Sequence, residues 1–189
     1  MTDALPGWFG KLPGLGDFAH RRLPALFREP WDQWLSDGLA GLRERHLRDW
    51  TALYLDGPLW CFALGADTLG PQAWIGVLMP SVDDVGRYFP LTLARPFDAA
   101  FDAAGWWIRA AGVALTALDE DFDAERLEAA IALGFSAAEP LGNALPPQAG
   151  HSSWRIQPEG GDLAFEGLPR NEQFDALFSP SPKGGRSKS

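Results

Sequence analysis

The most regular alternation of apolar and polar residues in the chain begins after Pro30 and predicts a helix. The apolar positions are spaced three or four residues apart: Trp31, Trp34, Leu35, Leu39 and Leu42. They form one face of an amphipathic helix, and proline suits its first turn, where its missing N–H costs nothing. The pattern extends through Tyr54, and Gly57-Pro58 ends it. Residues 1–29 show little periodicity, so we predict an ordered loop with one short helix at residues 25–28.

Three short apolar segments predict strands at residues 59–64, 74–79 and 90–94. The first two are nearly continuous apolar runs, which is typical of strands covered on both faces. Their connections are short and contain glycine and proline, so we expect an antiparallel meander.

The second half of the chain predicts two helices followed by shorter elements. Residues 98–118 are rich in alanine, and residues 124–133 form a helix with Asp123 as its N-cap. After a loop, the pattern predicts two strands and a last short helix, at residues 153–157, 163–165 and 172–178.

These elements predict a single α/β domain over residues 1–178. We expect a mostly antiparallel, mixed sheet with helices on both faces, in a three-layer αβα-like arrangement. A length of 189 residues with 46% hydrophobic composition suits one domain of this kind. Residues 179–189 contain three basic residues and nothing to bury, so they are predicted to be a disordered basic tail.

Charge and cysteine content exclude several functional classes. The net charge is −9, and a body this acidic repels phosphate backbones, so we expect no nucleic-acid partner. The single Cys61 lies in an apolar run and cannot form an internal disulfide. The amino terminus lacks the apolar core of a signal peptide, and no stretch is long enough for a membrane span. We therefore expect a cytoplasmic protein without membrane insertion.

Two incomplete ligand motifs carry little weight. Gly10-Lys11 lies near Gly14-Leu15-Gly16, but Leu12 stands where a phosphate loop needs Ser or Thr. Asp119, Asp121 and Asp123 have the spacing of the first calcium ligands of an EF-hand, but the glycine and the bidentate glutamate of that motif are missing. The three histidines are scattered, which disfavours zinc. We predict no cofactor, no metal and no catalytic residue.

The segment between the second and third strands, residues 80–90, is unusually polar for a joint between buried strands. One interpretation is local: Ser81 caps a short turn with Asp84 in a capping box, Gly86 ends it, and Asp83 pairs with Arg87. The other makes Arg87 and Tyr88 an anchor for a partner, because Arg and Tyr are enriched in interface hot spots. A similar choice applies to Asp17 and Arg21, which could pair with each other or contact a partner.

Two segments resemble the signatures of the TagF (ImpM) family of type VI secretion-associated proteins. The first runs from Gly7-Trp8-Phe9-Gly10-Lys11 through Gly16-Asp17-Phe18 to Pro30-Trp31-Asp32. The second is Leu78-Met79-Pro80-Ser81-Val82-Asp83 followed by Val85-Gly86-Arg87-Tyr88-Phe89-Pro90. The resemblance covers about residues 7–95 closely, the helix of Trp106-Trp107 loosely and the remainder of the chain weakly.

The resemblance implies a cytoplasmic, non-catalytic accessory protein that acts after translation to repress type VI secretion. It implies a partner with a forkhead-associated domain and a link to a Ser/Thr phosphatase and kinase pair. The candidate contact residues are Asp17, Phe18, Arg21, Asp83, Arg87 and Tyr88. Two alternatives stay open: a small hydrolase or phosphate-handling enzyme using Ser81, Asp83 and Arg87 in the 81–88 loop, and a structural subunit of the secretion machine.

Tryptophan is distributed unevenly, since eight of the nine lie before residue 108. Trp8 and Trp31 fall within the first signature. If either is exposed beside Arg87 it is an interface anchor, and if it is fully buried it belongs to the core.

Overall fold

A computed structural model describes residues 5–14, 16–97, 101–118, 122–137, 140–156 and 160–179. This part of the chain contains seven strands and five helices. In chain order they are β1 Gly7–Gly10, β2 Ala19–Arg21, α1 Ala25–Arg45, α2 Trp50–Leu55, β3 Trp60–Leu64, β4 Trp74–Met79, β5 Leu91–Pro96, α3 Ala103–Thr116, α4 Ala124–Gly134, β6 His151–Ile156, β7 Asp162–Glu166 and α5 Glu172–Asp175.

All seven strands form one antiparallel sheet in the order β2-β1-β5-β4-β3-β6-β7. The predicted meander of β3, β4 and β5 lies at its centre, with Phe62 opposite Gly76 and Gly76 opposite Ala94. An amino-terminal hairpin, β1–β2, extends one side of the meander, and a carboxy-terminal hairpin, β6–β7, extends the other.

Each face of the sheet carries its own hydrophobic core, which confirms the predicted three-layer arrangement. On one face, α3 and α4 pack over Cys61, Ile75 and Leu93. On the other face, α1, α2 and α5 pack over a cluster that contains Phe62 and Trp154. Every residue of β3 and β4 is buried, as expected for strands covered on both sides.

Trp8 and Trp31 are both fully buried, so both belong to the core. Trp31 lies on the α1 side, where its indole N–H donates to Thr92 Oγ1 over 2.9 Å. Trp8 lies on the α3 side, where its indole N–H donates to Glu128 of α4 over 2.5 Å. Neither side chain is an exposed anchor beside Arg87.

The predicted loop at residues 1–29 was wrong where the structure has β1 and β2, whereas the short helix predicted at residues 25–28 forms the start of α1. β1 has a glycine at each end, and the neighbouring residues come so close that a side chain would not fit. A Cβ at Gly10 would collide with the Pro90 carbonyl, and one at Gly7 would lie 2.7 Å from Leu23. Glycine ordinarily weakens a strand, so the glycines at both ends of β1 made this segment look like a loop in the sequence.

The first long helix begins at Ala25, five residues before the predicted start at Pro30. Phe27 and Trp31 are four residues apart and both buried, so their shared face carries the helix through the proline. The carbonyl that Pro30 leaves without a donor belongs to Leu26, whose side chain is 79% exposed, so water can replace the donor.

Later elements follow the predictions with shifted ends. α4 begins at the predicted N-cap, where the Asp123 side chain accepts from the Arg126 backbone N–H. α3 begins at Ala103 rather than residue 98. Asp119 and Asp121 of the incomplete calcium motif, and residues 180–189 of the predicted tail, lie outside the described residues.

Candidate functional site

The two sequence segments that carry the candidate contact residues meet at one end of the sheet. Residues 11–18 connect β1 to β2, and residues 80–90 connect β4 to β5. β1 and β5 are neighbours, so these two connections lie side by side. The Arg87 guanidinium joins them directly by donating to the Gly16 carbonyl.

Asp83 is the centre of this arrangement, and its side chain has no contact with solvent. One carboxylate oxygen, Oδ2, accepts from Lys11 Nζ at 3.0 Å and from Arg87 Nε at 2.7 Å. The other, Oδ1, accepts from the backbone N–H groups of Val85 and Arg87 at 3.2 and 2.8 Å. Four donors from two segments thus converge on one buried carboxylate.

These donors keep Asp83 ionised. Burial by itself raises the pKa of Asp83, but the Arg87 backbone N–H and the Lys11 and Arg87 side chains stabilise the charged form. Together they lower the pKa to about 2. The carboxylate is therefore negative at neutral pH and holds both cations in place.

The local interpretation of the 81–88 loop is right about one pair and wrong about the cap. Asp83 pairs with Arg87 as predicted, but Asp83, rather than Ser81 with Asp84, caps the turn. The Ser81 hydroxyl instead donates to the Lys11 carbonyl at 2.9 Å. Gly86 takes the positive φ of 78° that lets the chain turn back, and Val82 and Tyr88 form a β-bridge.

An aromatic cluster supports the same end of the sheet. Phe18 stacks on Phe9 with ring centres 5.9 Å apart and meets the edge of Phe89 at 4.8 Å. Lys11 Nζ lies 4.3 Å from the centre of the Phe18 ring, in a cation–π contact. Tyr88 packs against Trp50 and Tyr54 of α2.

Several side chains at this end of the sheet are exposed to solvent. Phe18 is 46% exposed, Val85 is 66% exposed, and the Arg87 side chain is 51% exposed. Asp17 is exposed next to Phe18. We call the exposed side chains of Asp17, Phe18, Val85 and Arg87 the loop surface.

Arg21 does not join the loop surface. It stands opposite Trp8 in the β1–β2 register, on the side of the sheet that α3 and α4 cover, whereas Phe18 packs with Phe9 on the α1 side. The suggested pair between Asp17 and Arg21 is not formed either. Asp17 accepts from the Phe18 backbone N–H, and Arg21 donates to the His20 carbonyl.

A second polar cluster, which the sequence did not predict, ties the end of α1 to α5. Asp175 accepts from Arg45 at 2.6 Å and contacts His46 at 2.9 Å. Burial raises the pKa of Asp175, but the hydrogen bonds from Arg45 and His46 lower it overall. Arg45 and Asp175 are 130 residues apart, so no local pattern signals this contact.

Two cavities lie away from the loop surface. A groove of about 670 Å³ lies between α1 and the segment that follows β7, beside Trp34, Arg45 and Asn171. A notch of about 210 Å³ lies beside Cys61 and Trp107. Neither includes a residue of the 81–88 loop.

Within the described ranges, no group of three or more His, Cys, Asp or Glu side chains is placed to hold a metal ion. In the same part of the chain, no helix combines the length and the apolar character needed to cross a membrane.

The chain is similar to a known protein family and to a solved structure. A family model for the TagF N-terminal domain, described as type VI secretion system-associated, matches residues 7–133. The crystal structure of PA0076 from Pseudomonas aeruginosa PAO1 is similar over 97% of this chain and 98% of that chain, with 31% sequence identity and a TM-score of 0.78. No curated protein matches the sequence.

Proposed function

This chain belongs to the TagF family of type VI secretion system-associated proteins, and from that membership we propose that it is a cytoplasmic negative regulator of secretion. In this proposal it acts after translation, without catalysis, by binding a partner that carries a forkhead-associated domain. The partner contacts the loop surface of Asp17, Phe18, Val85 and Arg87. Asp83 and Tyr88 do not form this surface but hold the 81–88 loop in position beneath it.

The observation that carries the proposed site is the way Arg87 is held. Its guanidinium is anchored to the buried Asp83 and to the Gly16 carbonyl, yet half of the side chain remains exposed. A fixed arginine loses little freedom when a partner binds, which lowers the entropic cost of association. An exposed phenylalanine lies on the same surface and adds apolar contact area.

The hydrolase alternative would need the same polar groups for chemistry. Ser81 Oγ is hydrogen-bonded to the Lys11 carbonyl, and Asp83 accepts four hydrogen bonds. A nucleophile and a base would have to be within reach of each other and of a cavity. These contacts favour a binding role for the loop over a catalytic one.

Co-purification with the forkhead-associated partner tests the site. We expect Phe18→Ala and Arg87→Ala each to weaken partner binding at least tenfold, since such anchors commonly contribute more than ~1.4 kcal/mol. Arg155→Ala is the matched control, because Arg155 is also paired with an aspartate, is 55% exposed, and lies on β6, across the central meander from β1. Val85→Asp adds a loop-surface variant that removes no hydrogen bond.

Overproduction tests the role. The wild-type protein should stop release of the secretion tube protein, the Arg155→Ala variant should do the same, and the loop-surface variants should not. Binding that survives in the folded loop-surface variants would disprove the site. Secretion that continues during overproduction, with the protein found in assembled machinery, would favour a structural subunit instead.

A further inference from the structure

The two edge strands of the sheet differ in the features that keep an edge from pairing. β2, at one edge, has three residues and is followed by Arg22, whose φ of 59° turns the chain away. β7, at the other edge, has five residues and contains neither proline nor lysine. Its register with β6 runs from Asp162 to Glu166 without a bulge. Short length, proline, lysine and bulges commonly protect edge strands, and β7 has none of these.

Backbone hydrogen bonds on either side of β7 show which of its groups face outward. The Ile156 N–H donates to the Gly161 carbonyl, and the Gly167 N–H donates to the Gly150 carbonyl. Bonded pairs alternate along an antiparallel ladder, so residues 161, 163, 165 and 167 bond to the β6 side. The N–H and C=O groups of residues 162, 164 and 166 therefore point away from the sheet. These three residues are exposed, and no described strand pairs with this edge.

The side chains of β7 alternate between the two faces of the sheet. Leu163 and Phe165 lie on the α1 side, half-buried against the core of that face. Asp162, Ala164 and Glu166 lie on the other side and are exposed. A strand added to this edge would continue both faces, so its apolar side chains would lie beside Leu163 and Phe165.

The exposed face of β7 carries a carboxylate at each end. The Asp162 side chain is 62% exposed and pairs with Arg155. Glu166 forms no salt bridge with any residue that the structure describes. The two carboxylates outnumber the one arginine beside them, so this face attracts positive charge.

A second copy of β7 is a poor match for this edge. In an antiparallel pair centred on Ala164, Asp162 of each copy would stand opposite Glu166 of the other. Like charges directly opposite each other destabilise a strand pair. The net charge of −9 adds a general repulsion between copies, whereas it attracts a basic segment.

We propose that the outer edge of β7 binds an extended, basic segment of a partner protein by strand addition. The segment carries Lys or Arg at two positions four residues apart, opposite Asp162 and Glu166. Its second and fourth residues are apolar and lie beside Leu163 and Phe165. The outward backbone groups of residues 162, 164 and 166 hydrogen-bond with it. This site lies across the central meander from the β1–β2 hairpin, and it does not depend on the loop surface or its partner.

Titration of the full chain with a peptide tests the site. The probe is the capped peptide Ser-Lys-Val-Thr-Ile-Lys-Ser, and NMR follows the backbone amide resonances of the protein. We expect saturable shifts centred on Asp162, Ala164 and Glu166. The same peptide with glutamate in place of both lysines should bind at least about fivefold more weakly, because like charges then face each other. A third peptide, with proline in place of threonine, lacks the central N–H and should not bind.

Variants of the protein separate the contribution of charge from that of the backbone. Glu166→Lys should weaken binding of the lysine peptide at least about fivefold and strengthen binding of the glutamate peptide. Glu125→Lys makes the same charge change on α4, away from β7, and is the matched control. Ala164→Pro removes an outward N–H without removing a bond to β6, so it should abolish binding of both peptides. Circular dichroism checks the fold of each variant, and Glu166→Lys decides the test if Ala164→Pro does not fold.

Four results would overturn the proposal. The lysine peptide could give no saturable shift at millimolar concentrations, the lysine and glutamate peptides could bind equally well, or the shifts could be centred outside β7. A dimer of the full chain that Ala164→Pro abolishes would assign this edge to a second copy instead.

Discussion

Lys11 and Asp83 form an ion pair that is closed to solvent, with Nζ 3.0 Å from Oδ2 and side-chain exposures of 4% and 0%. The pair joins the residue after β1 to the loop between β4 and β5. Asp83 also holds Arg87, so the position of the exposed guanidinium depends on a buried carboxylate. Under the proposed function, a change at Asp83 therefore affects both stability and partner binding.

Replacing Asp83 should lower the free energy of unfolding more than replacing Lys11. Asp83→Ala leaves Lys11 buried without a carboxylate and frees Arg87, so we expect a loss of about 3–5 kcal/mol in the free energy of unfolding. Lys11→Met should cost less, because Asp83 keeps Arg87 and two backbone donors. Urea denaturation measures both, and a larger loss for Lys11→Met would contradict this order.

The lowered pKa of Asp83 predicts a pH dependence with a definite sign. The unfolded carboxyl has a pKa of 3.8 and the folded one about 2, so the unfolded state binds more protons between these values. The contribution of Asp83 to the free energy of unfolding is complete above about pH 4 and is lost as the pH falls through about 2. This contribution is about 2 kcal/mol.

Comparison with Asp83→Asn isolates this contribution. Glu128 and Asp175 also have lowered pKa values against the opposing effect of burial, so the variant keeps part of the acid sensitivity. The difference in unfolding free energy between wild type and variant should shrink below pH 4. A difference that stays constant from pH 7 to pH 2.5 would show that Asp83 is not the group responsible.

Tyr54 should be needed to hold the start of the 81–88 loop. Its hydroxyl donates to the Ser81 carbonyl at 2.8 Å and accepts from the Ser81 backbone N–H at 2.9 Å, and all three groups are buried. Tyr54→Phe leaves two backbone groups without partners, so we expect a loss of about 1–3 kcal/mol. Thermal unfolding measures it, and an unchanged melting temperature would count against this role.

Gly10 and Gly70 make a matched pair for testing the close approach at β1. They have similar positive φ values, 143° and 147°, but a Cβ meets the Pro90 carbonyl at Gly10 and nothing within 4 Å at Gly70. Gly70→Ala should cost about 1–2 kcal/mol from backbone strain alone. Gly10→Ala should cost about 1–3 kcal/mol more, because β5 must move. Equal losses in urea denaturation would exclude the steric explanation.

The predictable parts of the fold are those encoded within a few residues. The apolar runs of β3 and β4 and the N-cap of α4 needed only local pattern, and so did the pairing of Asp83 with Arg87 four residues later. Each of these features depends on neighbours that the sequence itself places together.

The unpredicted parts depend on distant neighbours. β1 was not predicted because its glycines are required by the close approach of Leu23 and Pro90, which are distant from them in the sequence pattern. Asp83, the partner of Lys11, lies 72 residues away in the sequence. Phe18 and Arg21 lie on opposite sides of the sheet because of β2, a strand that the sequence did not predict. Within the candidate site, the sequence therefore predicted the loop but not the buried pair that positions it.

The order of strands also bears on how the chain acquires its structure. The central meander connects strands that are close in sequence, whereas β1 must find β5, with Trp8 opposite Leu93, and β6 must find β3, with Phe62 opposite Trp154. Closing such long loops is slow, so we expect the meander to form first and both hairpins to dock on its edges later. The Lys11–Asp83 pair would then form late in folding, when the amino-terminal hairpin reaches an already assembled sheet.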